Sequence, residues 1–258
     1  MTDAETDPRG THPPDAAPLL AVRGLTKRFE DTLAVDDLSF EGRAGEILGL
    51  VGPNGAGKTT TLRSIAGVLP LRAGSVAIAG HDLVREPARA KRALAWVPDD
   101  PRPFDTLTVE EHLELTAHLY GTADWRERGD ELLARFELAE RREALGGELS
   151  RGMRQKLAFC CAWLSEPRVV LLDEPLSGLD PRGIRSARRA IRDLADGGAA
   201  VVLSSHLLEL IEALADRLLI VDGGRAVFAG TLEEARATIA AGEDTSLEEI
   251  FLAVTERE

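Results

Sequence analysis

The 258-residue chain has two cysteines, one tyrosine and no apolar run of membrane-spanning length, and these shortages already exclude several kinds of protein. Cys160 and Cys161 are adjacent inside an apolar helical pattern, so neither a disulfide framework nor a metal-ligand spacing can be built from them. They read as core filler. Apolar stretches such as residues 169–172 and 199–203 are strand-sized, far short of the ~18–20 residues a bilayer requires, so the chain is not expected to cross a membrane itself. Positive charge is also in deficit. A net charge of −13 argues against a nucleic-acid surface as the main function, although a local basic patch stays open. The first eighteen residues are acidic and proline-rich and lack the apolar centre of a signal peptide. A disordered tail over 1–18 and residence in the cytoplasm are the expectation. No internal repeat or low-complexity array is evident.

What the chain does have is a core-forming composition, 44% apolar with 29% charged residues, enough for one large domain or two ordinary ones. Short apolar runs at 19–25, 34–40, 47–51 and 75–79, separated by glycines and acidic turns, predict a strand-rich opening third. Helical patterns follow at 108–120, which begins with a Thr108 to Glu111 capping box, and at 125–136 and 151–164. Strands at 169–172, 200–203 and 218–221 then alternate with helices at 181–195 and 207–215, which is the pattern of a parallel sheet. Asp222, Gly223 and Gly224 mark a hairpin into 225–228, and two short helices close the chain, the second opening with a box at Ser246. The expected fold is α/β: a mostly parallel core sheet, an N-terminal antiparallel β subdomain and an inserted helical subdomain. The expected boundaries are a main domain at 19–230, the insert at about 99–166, and a helical extension at 231–258.

Between the apolar run at 47–51 and the next helix lies Gly52-Pro53-Asn54-Gly55-Ala56-Gly57-Lys58-Thr59, which fits GxxxxGK[ST] in the strand-then-helix context that pattern needs. Glycines at 52, 55 and 57 let backbone amides turn inward around a phosphate, and the helix N-terminus adds partial positive charge. Lys58 would then bridge the β- and γ-phosphates, with the Thr59 hydroxyl on Mg²⁺. Such a loop alone serves kinases, GTPases and many ATPases. Further along, the apolar strand at 169–172 ends in Asp173 and Glu174, carboxylates at the strand end where α/β sheets place ligands. Asp173 suits the Mg²⁺ shell, leaving Glu174 free to orient or deprotonate an attacking water.

With these residues in order, the chain from about Leu19 onward resembles the ABC ATPase family. Leu149-Ser150-Arg151-Gly152-Met153 resembles the family's signature motif LSGGQ, Ser177-Gly178-Leu179-Asp180 its D-loop, and His206 its switch histidine. Phe29 falls where an aromatic residue stacks on adenine, with core packing as the competing reading. The resemblance implies ATP and Mg²⁺ as ligands. It also implies nucleotide contacts from Phe29, residues 52–60 including Thr60, Ser150 and Gly152, metal contacts from Thr59, Asp173 and Asp99, and catalysis by Glu174, His206 and Lys58. Ser150 would cap a helix facing the γ-phosphate of a second protomer, so a head-to-tail dimer closed by ATP and opened by hydrolysis is implied. A homodimer is the expected form, with a heterodimer left open. Separate transmembrane permease subunits would complete the transporter and hold this chain at the inner face of the membrane.

Two departures stand out. Asp99 replaces the family's Q-loop glutamine, losing an amide donor and adding negative charge. Arg151 replaces the first signature glycine and Met153 the glutamine, while Ser150 and Gly152 are retained. These variants, with residues 246–252, resemble the subgroup serving compact ABC-2-type permeases, often exporters. A soluble ABC-type ATPase of a non-transport assembly process is the alternative. Small-molecule kinases lack the signature and D-loop. His12, His81, His112 and His118 show no metal spacing, and Arg182, Arg185, Arg188, Arg189 and Arg192 read as a solvated helix face.

Overall fold

The architecture is described from a computed structural model covering residues 17–239 and 246–255; the expected tail up to residue 16 lies outside the described residues. Three central strands, β3 (Ile47–Val51), β7 (Val169–Asp173) and β8 (Ala200–Ser204), are buried along their whole length, as continuous apolar runs in a parallel sheet should be. With β6 (Leu94–Val97), β9 (Arg217–Asp222) and β10 (Arg225–Gly230) they form a six-stranded sheet in the order β10-β9-β3-β8-β7-β6. Every pairing in it is parallel except the β9–β10 hairpin. A second, antiparallel sheet joins β1 (Leu20–Phe29), β2 (Thr32–Gly42), β4 (Ala73–Ile78) and β5 (His81–Asp82) in the order β2-β1-β4-β5.

The central strands send successive side chains to opposite faces, and this builds two cores. Leu48, Leu50, Val169, Leu171, Ala200 and Val202 pack with the antiparallel sheet and with α1 (Lys58–Ile65). Ile47, Val51, Val170, Leu172, Val201 and Leu203 face the other way, toward α3 (Val109–Tyr120), α4 (Trp125–Arg135), α5 (Arg151–Leu164), α6 (Pro181–Asp196) and α7 (Leu208–Leu214). The chain ends in α8 (Leu232–Ile239) and α9 (Leu247–Thr255).

Helices α3, α4 and α5 all lie in the stretch between β6 and β7, and these two strands are direct parallel neighbours. The helical segment is therefore a single excursion from the sheet. Local chemistry fixes its ends. Thr108 accepts from the Glu111 amide while the Glu111 carboxylate accepts from the Thr108 amide, and Ser150 accepts from the Met153 amide at the start of α5. Phe136, Phe159 and Trp163 then bind α4 and α5 together, with the two phenyl rings stacked at 5.2 Å and Trp163 edge-on to Phe159 at 5.1 Å. Trp163 Nε1 donates to the Ala190 carbonyl at 3.2 Å and so ties α5 to α6. Phe159→Ala is expected to destabilise the protein by about 3–5 kcal/mol, as large-to-small changes at full burial do. Denaturant unfolding of the full chain measures it, and a loss under 1 kcal/mol would show that the aromatic cluster does not hold the excursion.

Five short elements lie outside the sequence-based reading: β5, β6, α2 (Pro87–Arg92) and two single 3-10 turns at Ala139–Arg141 and Gly146–Glu148. One expectation needs correction. Arg192 is not part of a solvated face; its guanidinium reaches Asp216 at 3.2 Å and also donates to the Leu214 carbonyl, joining α6 to the turn before β9. Arg182, Arg185, Arg188 and Arg189 are exposed as expected. Cys160 is fully buried and Cys161 partly so; desolvation raises both thiols, Cys161 to about 11.

Candidate functional site

Residues from four chain segments meet at the C-terminal ends of β3, β7 and β8. The loop after β3 is drawn tight by the Ala56 amide donating to the Pro53 carbonyl at 3.2 Å, and Gly57 enters α1 with φ +97°. A side chain could not replace hydrogen at two of its positions. A Cβ at Gly52 would stand 2.3 Å from the Val221 carbonyl oxygen, and one at Gly57 would stand 2.3 Å from that of Ala34. Close backbone approach is what a phosphate cradle requires. Lys58 Nζ is turned into the loop, donating to the carbonyls of Gly52 at 2.6 Å and Pro53 at 3.1 Å. Burial lowers the Lys58 ammonium below the ordinary lysine value of 10.5, with Glu174 and Asp173 pulling in the opposite direction. Asn54 and Gly55 form the exposed crest of the loop, and Thr59 and Thr60 occupy the first turn of α1.

Asp173 ends β7. Its Oδ1 accepts from Ser204 Oγ at 2.7 Å and from Thr59 Oγ1 at 3.2 Å, so loop and strand are joined through hard oxygen donors. That chemistry fits Mg²⁺, which takes few protein ligands and keeps its waters. Among the described residues no group of three or more His, Cys, Asp or Glu could by itself hold a metal ion. Asp99, expected beside this pair, is engaged elsewhere: its carboxylate is held by Arg151 at 3.1 Å.

Glu174 sits one residue beyond Asp173 in the left-handed region, φ +48°, a conformation costing a non-glycine residue about 1–3 kcal/mol. Two backbone bonds hold it there: its amide donates to the Ser204 carbonyl at 3.0 Å, and its carbonyl accepts from Ser177 at 3.1 Å. The twist turns Glu174 Oε2 to within 2.7 Å of His206 Nδ1 and 3.3 Å of Ser205 Oγ. The carboxylate can only accept, so the histidine proton belongs on Nδ1.

Ser204 and Ser205 are the site residues that motif reading passed over. Their signal was strand register: Ser204 pairs with Asp173 across β7 and β8. Phe29 closes β1 and is 44% exposed, which excludes simple core packing. The Lys27 ammonium lies 5.4 Å from the ring centroid. Its hairpin partner strand β2 carries Ala34, the residue that meets Gly57. Ser150 and Gly152 lie at the start of α5, beside the loop that follows Glu174.

A glycine-cradled loop after one parallel strand, a lysine at its base, and two consecutive carboxylates at the end of another parallel strand define a P-loop nucleotide hydrolase. Residues 35–177 match the family model described as ABC transporter. The chain is 34% identical over 242 residues to the ABC-type transporter ATP-binding protein EcsA of Bacillus subtilis, covering 93% of this chain and 98% of that one. It is 38% identical over 220 residues to the daunorubicin resistance ATP-binding protein DrrA3 of Streptomyces coeruleorubidus, with coverage of 84% and 70%. A solved structure of the ATP-binding subunit of an ABC transporter superposes with a TM-score of 0.88 at 34% identity, covering 92% of this chain and 99% of that chain. The chain belongs to the ABC transporter family, as an ATP-binding subunit, an ATPase that powers transport. None of its described helices is long and apolar enough to cross a membrane.

Proposed function

We propose that two copies of this chain close head to tail around two ATP molecules and that Glu174 drives hydrolysis in each site. The observation that carries this reading is the contact of Glu174 with His206 at 2.7 Å, next to the separate Asp173–Thr59 contact at 3.2 Å. One carboxylate is thereby committed to the loop and the other is left for the nucleophile.

In this reading Lys58 leaves its two loop carbonyls for the β- and γ-phosphates, and the loop amides from Gly52 to Thr60 surround them. Thr59 and Asp173 hold Mg²⁺, which when bound supplies charge neutralisation at the phosphate oxygens. Phe29 stacks on adenine. Glu174 accepts a proton from the attacking water as its oxygen bonds to the γ-phosphorus; the bond to the β–γ bridging oxygen breaks and ADP leaves with that electron pair. His206 keeps the carboxylate oriented through its Nδ1 proton. Ser150 and Gly152 complete the site of the opposite protomer, where the hydroxyl and the start of α5 meet the γ-phosphate.

Bringing anionic phosphate to Lys58 reverses the effect of burial, so nucleotide binding raises its pKa. Below 10.5, in the interval where the free protein has already lost this proton, MgATP binding takes one up. Calorimetry in two buffers of different ionisation enthalpy measures the uptake, and Lys58→Ala abolishes it. In the nucleotide-free chain the same shift has the opposite consequence: the unfolded state binds more protons there, so stability from this group rises with pH up to 10.5.

The motor works with separate transmembrane permease subunits at the inner face of the membrane. The subgroup resemblance of Arg151, Met153 and residues 246–252 points to compact ABC-2-type permeases and to export. Cross-linking in membranes followed by affinity capture of the full chain is expected to recover a multispanning protein. Recovery of soluble partners alone would favour an assembly role instead.

A further inference from the structure

Asp99 and Arg151 are two of the three positions, with Met153, at which this chain leaves motifs it otherwise follows, and the fold puts these two on each other. Arg151 Nη2 lies 3.1 Å from Asp99 Oδ1 and 2.8 Å from Ser177 Oγ. The three residues come from separate segments: Asp99 follows β6, Arg151 is the first residue of α5, and Ser177 lies in the loop that follows Glu174. Packing reinforces the junction. A Cβ at Gly152 would stand 2.6 Å from the Gly178 carbonyl oxygen, and one at Gly178 would stand 3.2 Å from Arg151 Cδ, so the arginine stem lies over the loop.

The charges balance. A neutral amide at 99 and a glycine at 151 would carry no charge; Asp99 adds one negative and Arg151 one positive, side by side. Each departure alone would leave an unmatched charge at this junction. Together they leave none. A single nitrogen, Nη2, reaches both acceptors and so ties Asp99 and Ser177 to one point at the start of α5. From Ser177 the connection continues through its amide to the Glu174 carbonyl at 3.1 Å, one of the two bonds that hold Glu174 in its left-handed turn.

We propose that Asp99 and Arg151 form one matched clasp, in which Arg151 is a positioning residue that sets the Glu174 turn through Ser177 and carries the state of the Asp99 loop to it. The clasp rests on the reading of Glu174 as the hydrolytic carboxylate. Half of each side chain is exposed, 51% for Arg151 and 49% for Asp99, so in the open protomer the pair is easily separated. When a second protomer covers this face, water is excluded and the same contact strengthens. The clasp is therefore weak when the motor is open and firm when it is closed.

The test is a double-mutant cycle on the full chain, with ATP turnover and KM measured for wild type, Asp99→Gln, Arg151→Gly and the double variant. Each single change is expected to lower kcat on the order of tenfold with KM little changed, and the double variant to lose no more than either single variant, because both changes open the same contact. Losses that multiply in the double variant, or single variants with wild-type kcat, would overturn the clasp. Salt supplies a readout that a packing role does not move. Raising the salt concentration should lower kcat more in wild type than in the double variant, and equal salt responses count against the pair. Thermal melting checks folding, and Arg151→Lys, which preserves charge at the helix start, should fall between wild type and Arg151→Gly; Arg151→Lys no better than Arg151→Gly counts against an electrostatic contact. If Glu174→Gln hydrolyses ATP normally, the reading of Glu174 has failed; if it does not and the cycle is additive, only the clasp has failed.

Discussion

Glu174→Gln is expected to bind MgATP as wild type does, to hydrolyse it roughly 10²–10⁴-fold more slowly, and to accumulate as a closed dimer. The substitution is close to isosteric, and the amide oxygen can still accept from His206 Nδ1, now 2.7 Å from the carboxylate. The backbone bonds from Glu174 to Ser204 and from Ser177 to Glu174 are untouched, so the left-handed turn persists. What disappears is the ability to take a proton from water. In the proposed cycle dimer opening follows hydrolysis, so binding without hydrolysis drives the equilibrium toward the closed form. Light scattering during size-exclusion chromatography, with phosphate release on the same sample, measures both effects. Turnover within about threefold of wild type would move the base elsewhere.

Lys58→Ala acts earlier. Losing a charge-assisted bond to phosphate costs about 1.5–3 kcal/mol, which weakens ATP binding on the order of tenfold to a hundredfold. The charge that develops on the transferred phosphoryl group is then also unopposed, lowering turnover by a further factor of ~10²–10³. The two variants separate cleanly: Glu174→Gln lowers kcat at constant affinity, whereas Lys58→Ala lowers both. Without nucleotide the lysine variant should melt near wild type, because the two carbonyl bonds it loses are offset by relief of a desolvated charge. Normal ATP affinity and turnover in Lys58→Ala would count against the nucleotide site as a whole.

Much of this was legible in the residues because the physics was local. The runs that became β3, β7 and β8 are apolar without interruption, and only a doubly covered strand tolerates that. The boundaries of α5 at Arg151 and Leu164 follow from a serine cap and a helical apolar pattern. By contrast β6 is four residues of Leu-Ala-Trp-Val at the sheet edge, too short for alternation to be distinguished from chance, and α2 is six residues begun by Pro87. The site divided along the same line. Loop glycines, Lys58, Asp173, Glu174 and His206 carry chemistry that the order of motifs displays. Ser204 carries none that titrates, and only its register against Asp173 gives it a partner. The Asp99–Arg151 contact joins positions 52 residues apart in the chain, and no periodicity links them. Arg192 looked solvated because its neighbours on α6 are; its partner Asp216 lies in the turn before β9.

The buried cysteine pair has a practical consequence. With the Cys161 thiol raised to about 11, only ~10⁻⁴ of it is thiolate at pH 7, roughly 300-fold less than an exposed cysteine offers. Cys160 is still better protected, being fully covered. Maleimide and similar reagents therefore find the native chain almost silent, and no cysteine-free background has to be built. A single cysteine placed at exposed Leu207, next to His206, would carry a probe at the rim of the nucleotide site and follow its opening and closing in the otherwise unmodified protein.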